Sequence, residues 1–356
     1  MNMINFYPGP SKIYPQVKNW MLDAMDSGIL AMNHRSDDFM QMLAGAIARM
    51  KNKLLIPESY EIFLVSSSTE CWEIIAQSLV GKKSLHMYNG AFGKKWWEYT
   101  QKIKPDARGH CFGTEDLLCL PDNHDEYEVL CLTHNETSNG TSIPEHVLKE
   151  VRNQFSGIIT VDATSSMGGV TMDWSVADVW FASVQKCFGM PPGLAIMVVS
   201  PNAMIKAAEI NDQTFYNSLL FIAENFRKFQ TPYTPNILGI YLLHRLFEDV
   251  QPIQFIDQVT HQTAEEWFEF LQNRNIDLLV SNPEVRSSTV IPFITRTAEQ
   301  TYELKQYLLQ NNIVIGSGYG KWKDNTLRIA NFPAIADIER MKLKGQLDKY
   351  YWGSKA

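Results

Sequence analysis

The feature that most limits how this chain can fold lies between Gly157 and Ser200. Three short apolar runs follow one another there: Ile158-Ile159-Thr160-Val161, Val179-Trp180-Phe181-Ala182-Ser183-Val184 and Leu194-Ala195-Ile196-Met197-Val198-Val199. Each is rich in apolar and β-branched residues, and each reads as a buried strand. The first ends in Asp162 and a small-residue turn, Ala163-Thr164-Ser165-Ser166-Met167-Gly168-Gly169, and the second delivers Gln185-Lys186. An aspartate and a lysine therefore each follow the carboxyl end of a core strand. Open α/β sheets build their ligand sites along that rim.

A lysine at such a rim can be desolvated enough to react as a free amine. A carboxylate beside it can hold a protonated ring nitrogen. Pyridoxal 5'-phosphate (PLP) needs that pair, the lysine for a Schiff base and the aspartate for the pyridinium. Taken singly, Lys186 reads as an ordinary surface lysine and Asp162 as a capping residue. Together, flanked by Ser/Thr/Gly turns, they favour the cofactor.

The other rim candidates come from the same strand-then-turn pattern. Residues 60–65 read as a strand, and Ser66-Ser67-Ser68-Thr69-Glu70 opens a helix to residue 80 with Ser67 and Glu70 at capping-box spacing. A helix N-terminus with free N–H groups and hydroxyls is a ready anion site. Residues 85–90 form a strand into a turn, before Phe92 and a helix containing Trp96-Trp97. Residues 129–134 form another, ending in Asn135-Glu136-Thr137-Ser138-Asn139-Gly140. Helices are expected over 14–27, with Trp20, Met21, Ala24 and Met25 on one face, and over 37–54 and 144–155. Residues 107–128 read as exposed and irregular, and 201–228 as helix and connection. Beyond residue 245 the pattern is α+β, with strands near 276–280, 287–294, 313–316 and 326–330 and helices near 298–310 and 335–350.

A chain of 356 residues suggests two domains. We expect a large domain over 1–245, whose arm 1–15 runs near the site, and a smaller one over 246–356. The balance of 32 Lys and Arg against 39 Asp and Glu gives −7 with no basic block, which argues against nucleic acid. No apolar run approaches the roughly 18 residues of a membrane span. The opening Met1-Asn2-Met3-Ile4-Asn5 has no basic and apolar signal pattern. Five cysteines without CxxC spacing fit a reduced, cytoplasmic enzyme. The eight histidines are scattered, and no metal-ligand spacing, G-x-S-x-G elbow or phosphate-binding Walker loop is present.

At Asp162 with Thr164-Ser165-Ser166, and at Gln185-Lys186 with its following Gly/Pro turn, the chain resembles the class V aminotransferases of PLP fold type I. Asn135-Glu136-Thr137-Ser138-Asn139-Gly140, His34-Arg35 and Phe229-Gln230-Thr231-Pro232 match further motifs in the expected order, and the likeness is greatest to the members that act on phosphoserine. The resemblance implies a large α/β domain with a mostly parallel sheet, a smaller α+β C-terminal domain, and PLP as a Schiff base on Lys186. It gives Asp162 to the ring nitrogen, Phe92 to stacking on the ring, and Thr137 to the phenolic oxygen. Gln185 neighbours the cofactor, and Ser68 and Thr69 stand where the family holds its phosphate. Gln230 and Thr231 match a loop that reaches the other subunit's phosphate, which implies a homodimer with shared sites. His34, Arg35, Lys321 and Arg328 fall at substrate positions, Arg328 on the α-carboxylate.

Three departures stand out: Thr69 where an Arg is usual, Gln230 for Asn, and Gly320-Lys321-Trp322 for Gly-His-Arg. The reaction implied is phosphoserine with 2-oxoglutarate, as in serine biosynthesis. The alternatives are a serine- or alanine-glyoxylate type and, from another class, a catalytically silent binding module. The partners expected are small amino and 2-oxo acids.

Overall fold

The computed structural model describes residues 3–353. In its first half the chain forms β1 (Ile4–Phe6), α1 (Val17–Asp26), α2 (Asp37–Leu54), β2 (Glu61–Val65), α3 (Ser68–Ser78), β3 (Ser84–Tyr88), α4 (Ala91–Ile103) and β4 (Arg108–Cys111). Then come β5 (Val129–Thr133), β6 (Asn135–Glu136), β7 (Thr141–Ser142), α5 (Glu145–Gln154), β8 (Ile158–Asp162), β9 (Val179–Ser183) and β10 (Ala195–Val199). The remainder is α6 (Pro201–Ile210), α7 (Leu219–Phe226), α8 (Ile237–Asp249), α9 (Ile253–Gln272), β11 (Val290–Ile294), α10 (Ala298–Gln310), β12 (Ile313–Ser317), β13 (Thr326–Ala330) and α11 (Asp337–Trp352).

Seven strands make the large sheet, in the order β2-β10-β9-β8-β5-β3-β4. Only β10 runs against its neighbours, so the other six share one direction. Strands β9 and β10 are buried at every residue, as expected where helices cover both faces. The shared direction has a consequence for chemistry. The turns after β2, β3, β5, β8 and β9 all emerge on one rim, and those turns carry Ser68, Phe92, Thr137, Asp162 and Lys186.

A second sheet has the order β1-β12-β13-β11. Its first strand comes from the opposite end of the chain, with Phe6 beside Ile315 in a parallel pairing. The hydrophobic side chains fall into two clusters. One runs from Val17 to Ile253 around the large sheet. The other joins Phe6 and Cys187 to residues between Ala264 and Leu347.

Several local expectations change. α1 starts at Val17 and buries Val17, Trp20 and Ala24, while Met21 and Met25 are 38% and 66% exposed. The polar stretch after residue 107 contains β4, whose charged and polar residues suit a sheet edge with a solvated face. Residues 276–280 form no strand and contribute a single bridge, Leu278 to Phe293. Among the described residues no helix is long and apolar enough to cross a membrane, and no cluster of His, Cys, Asp or Glu could hold a metal ion.

Candidate active site

A cavity of about 240 Å³ opens at the rim where the turns of the large sheet meet β13 and the N-terminal segment. Lys186 forms part of its wall and is buried. Its Nζ donates to Thr137 Oγ1 and to Ser165 Oγ, both at 2.9 Å, and lies 5.4 Å from the centre of the Phe92 ring. Burial brings the ammonium down to about 8, the nearby Asp162 carboxylate opposing the shift. A lysine in that range carries free amine near neutral pH.

The backbone comes close here for a reason. A Cβ on Gly9, whose φ is +144°, would lie 2.8 Å from Lys186 Cε. Only glycine lets the N-terminal turn pass over the lysine.

Asp162 ends β8 inside the same cavity. Its Oδ2 accepts from Trp72 Nε1 at 3.1 Å and its Oδ1 from the Thr164 N–H at 2.9 Å. Burial raises its pKa, while these bonds and Lys186 favour the charged form.

The turn after β2 is capped by Ser67, whose Oγ accepts from the Glu70 N–H at 3.1 Å. The capping box is displaced by one residue, because the Glu70 carboxylate accepts from the N–H and hydroxyl of Ser66. Ser68 N–H donates to Ser183 Oγ at 3.0 Å, and the Ser68 hydroxyl bonds Thr164 and Ser183. Thr69 follows on the cavity wall. Hydroxyls at the N-terminus of an 11-residue helix suit an anion.

On the opposite side, Phe92 opens α4 from the cavity wall. The buried Glu136 carboxylate accepts from the N–H groups of Phe92 and Gly93 at 3.0 and 3.1 Å. The Phe92 ring lies 5.3 Å from that of Tyr319, so turns from the two sheets meet at the mouth. Arg328 on β13 is 4% exposed. Its Nε donates to Ser317 O at 2.7 Å and its Nη1 to Thr137 O at 2.6 Å. Its guanidinium lies 5.7 Å from the Tyr319 ring centre.

Of the residues singled out from sequence, the cavity gathers Ser68, Thr69, Phe92, Thr137, Asp162, Gln185, Lys186 and Arg328. His34, Arg35, Gln230, Thr231 and Lys321 are not on its wall. Arg35 Nη1 instead donates to Gln230 Oε1 at 2.6 Å, and Thr231 Oγ1 donates to Tyr233 O at 2.7 Å. Lys321 is exposed, with its ammonium 4.6 Å from the Trp322 ring centre. Trp72, Lys95 and Tyr319 also belong to the site or its support and were not singled out from the sequence, while Asn135 and Ser165 stood in the matched motifs with no role of their own. Trp72 had a usable signal, since it follows Ser68 by four residues on one helix face. Lys95 and Tyr319 had none.

The sequence model of the class-V aminotransferases matches residues 100–321. The chain belongs to the class-V aminotransferases. It is 28% identical over 353 residues to the phosphoserine aminotransferase of Rhodococcus opacus, covering 96% of this chain and 93% of that protein. A crystal structure of a phosphoserine aminotransferase from Cytophaga hutchinsonii superposes with a TM-score of 0.92 at 32% identity, over 98% of this chain and 99% of that one. An alanine–glyoxylate aminotransferase from Nostoc shares the fold at 19% identity, with a TM-score of 0.83 over 99% of this chain and 94% of the other.

PLP is the cofactor of this class-V enzyme, and the cavity suits it. It offers a lysine with depressed pKa, a buried carboxylate, an aromatic ring beside the lysine, and hydroxyls at a helix N-terminus. The donor set thus matches an aldehyde, a ring nitrogen, a flat face and a phosphate.

Proposed function

We propose that this class-V aminotransferase exchanges the amino group of phosphoserine with 2-oxoglutarate, in the direction that makes phosphoserine for serine biosynthesis. One observation carries the catalytic assignment: Lys186, Asp162 and Arg328 converge on one cavity from three strands, with Thr137 bonded to both cations. The substrate assignment rests on the likeness to phosphoserine aminotransferases along nearly the whole chain.

PLP, when bound, supplies the electron sink for the bond broken at the substrate's α-carbon. Lys186 would anchor the cofactor, and its amine is placed to move a proton to and from that carbon as a general base and acid. Thr137 and Ser165 hold the lysine in reach. Asp162, fixed in its aim by Trp72 and Thr164, would keep a proton on the ring nitrogen. Phe92 keeps the ring flat, worth about 1 kcal/mol beyond area burial. Ser68 and Thr69 would hold the phosphate at the start of α3, where the N–H groups of Ser68 and Glu70 are already given to Ser183 and Ser67. Gln185 lines the cavity beside Lys186. Arg328 grips the α-carboxylate through its planar fork.

A homodimer completes this reading. His34, Arg35, Gln230 and Thr231 sit away from their own cavity, and Arg35 and Gln230 are bonded to each other. Exposed Met21, Leu22, Met25, Phe221 and Phe229 offer apolar surface for a second copy. On this arrangement Arg35 and His34 of one subunit would face the distal acid of substrate held by the other, and Gln230 and Thr231 the phosphate of the other's cofactor. The two hydrophobic clusters support a division into a larger and a smaller domain near residue 245, though α8 crosses that point, the first cluster continues to Ile253 and Phe6 of the arm packs in the second. Five free cysteines fit a reducing, cytoplasmic setting.

A second reading, serine or alanine with glyoxylate, gains from the position of Lys321 outside the cavity. The deciding experiment is the visible absorbance of the PLP-loaded protein during titration with L-phosphoserine, glutamate, serine and alanine. Bleaching by phosphoserine and by glutamate is expected. Bleaching by serine or alanine with none by phosphoserine overturns the substrate assignment in favour of the second reading.

A further inference from the structure

Among the described residues, one polar atom on the buried wall of this cavity has no partner: Nδ2 of Asn135. The residue is 4% exposed, and buried amide donors are seldom left without an acceptor. Its orientation is fixed from the far side. Ser287 Oγ accepts from the N–H groups of Thr289 and Val290. The hydroxyl proton of Ser287 is therefore free to donate to Asn135 Oδ1, at 2.6 Å. Thr289 Oγ1 lies 3.1 Å from the same oxygen. Thr289 gives its own proton to Ser165 O at 2.5 Å, so Ser287 is the hydroxyl that holds the carbonyl end, and the N–H end is the one left without a partner.

What it lacks is an acceptor, and the geometry says which kind. Two residues along, Thr137 binds Lys186 through its hydroxyl and Arg328 through its carbonyl. Arg328 has spent Nε and Nη1 on backbone carbonyls, and Nη2 has no acceptor among the described residues. Two uncommitted donors thus flank Thr137 on the wall of one cavity. A carboxylate accepts several hydrogen bonds and prefers charged or fixed donors.

We propose that Asn135 donates through Nδ2 to the α-carboxylate of the amino-acid substrate, beside Arg328, and so helps select amino acids over simple amines. Ser287 serves as the positioning residue that fixes the amide's direction. The inference rests on the aminotransferase reading but not on phosphoserine, because every amino acid carries the group concerned.

The test uses Asn135→Asp, which keeps an oxygen for Ser287 and replaces the donor by an acceptor. The PLP-loaded protein is titrated with whichever amino acid bleaches its visible band, and with the corresponding amine lacking the α-carboxylate. PLP affinity is measured alongside. The apparent Kd for the amino acid should rise roughly tenfold or more, from the loss of a bond to a charged group, while that for the amine and the affinity for PLP stay as in the parent protein. Equal changes for amino acid and amine, or no change in either, overturn the proposal. Asn135→Ala, read by the same amino-acid to amine ratio, guards against a variant that folds poorly, since partial unfolding lowers both bindings alike. If phosphoserine bleaches nothing and alanine does, the substrate assignment fails while this test still runs.

Discussion

Two groups of polar side chains in this molecule can be compared directly. Lys186, Asp162, Thr137 and Arg328 are buried, each held by hydrogen bonds to fixed partners. His34, Arg35, Gln230, Thr231 and Lys321 lie off the cavity, and Arg35 and Lys321 are exposed. The first group is held on or just beyond strands, Asp162 ending β8, Arg328 within β13, and Thr137 and Lys186 following β6 and β9, and such elements fix a side chain closely. The second sits on turns and on a loop with two prolines, Pro232 and Pro235. The residues proposed to make and break bonds to an amino acid therefore meet in one cavity of one chain, while His34, Arg35 and Lys321, proposed to read the far end of its side chain, lie outside that cavity.

The sharpest way to break this comparison is Lys186→Ala. Activity of the PLP-supplemented protein should fall by roughly a thousandfold or more, the share of a positioned acid–base group together with the anchor. Assay of amino-group transfer checks it, and a tenfold loss would remove Lys186 from the centre of the site. Arg328→Lys comes next. Its KM for the amino acid should rise about tenfold with PLP affinity unchanged, because an ammonium cannot reproduce the planar fork.

A mixing experiment addresses the second group. Arg35→Ala alone should lose about tenfold in activity, and mixing it with the inactive Lys186→Ala protein, after subunit exchange, should restore activity above either alone. Recovery requires Arg35 of one copy to serve Lys186 of the other. A strictly additive mixture means that Arg35 does not serve the Lys186 of another copy.

The pH dependence sharpens the first group. Lys186 falls to about 8 in the folded protein, below the ordinary lysine value, so the folded chain binds fewer protons than the unfolded one between those two values. Its cost to stability is full below pH 8 and is relieved as pH rises through that window. The rate at which PLP is captured should climb about tenfold per pH unit and level off near pH 8, since only the free amine reacts. The smallest effect expected is from Lys321→Ala, less than about twofold in KM for phosphoserine, as for an exposed charge in water.

Much of the fold was readable because its causes are local. The runs at 158–161, 179–184 and 194–199 could only be buried strands, and the small-residue turns after them set Asp162 and Lys186 on a rim. The edge strand β4 was not readable, since a half-solvated strand of Arg, Gly, His and Cys carries no apolar signal. Nor was β1, three residues whose partner β12 lies some three hundred positions away.

The sequence by itself determined the alternation of strand and helix, the lysine and aspartate at the strand ends, and the helix cap ahead of Ser68. These follow from side-chain periodicity and turn chemistry within a few residues of chain. Only the tertiary structure decided that Ser165 and Thr137 would hold Lys186, that Trp72 would aim Asp162, and that Ser287 would turn the Asn135 amide. Such contacts join residues 21 to 152 positions apart, and a hydrogen bond depends on distances and angles that no neighbouring residue encodes.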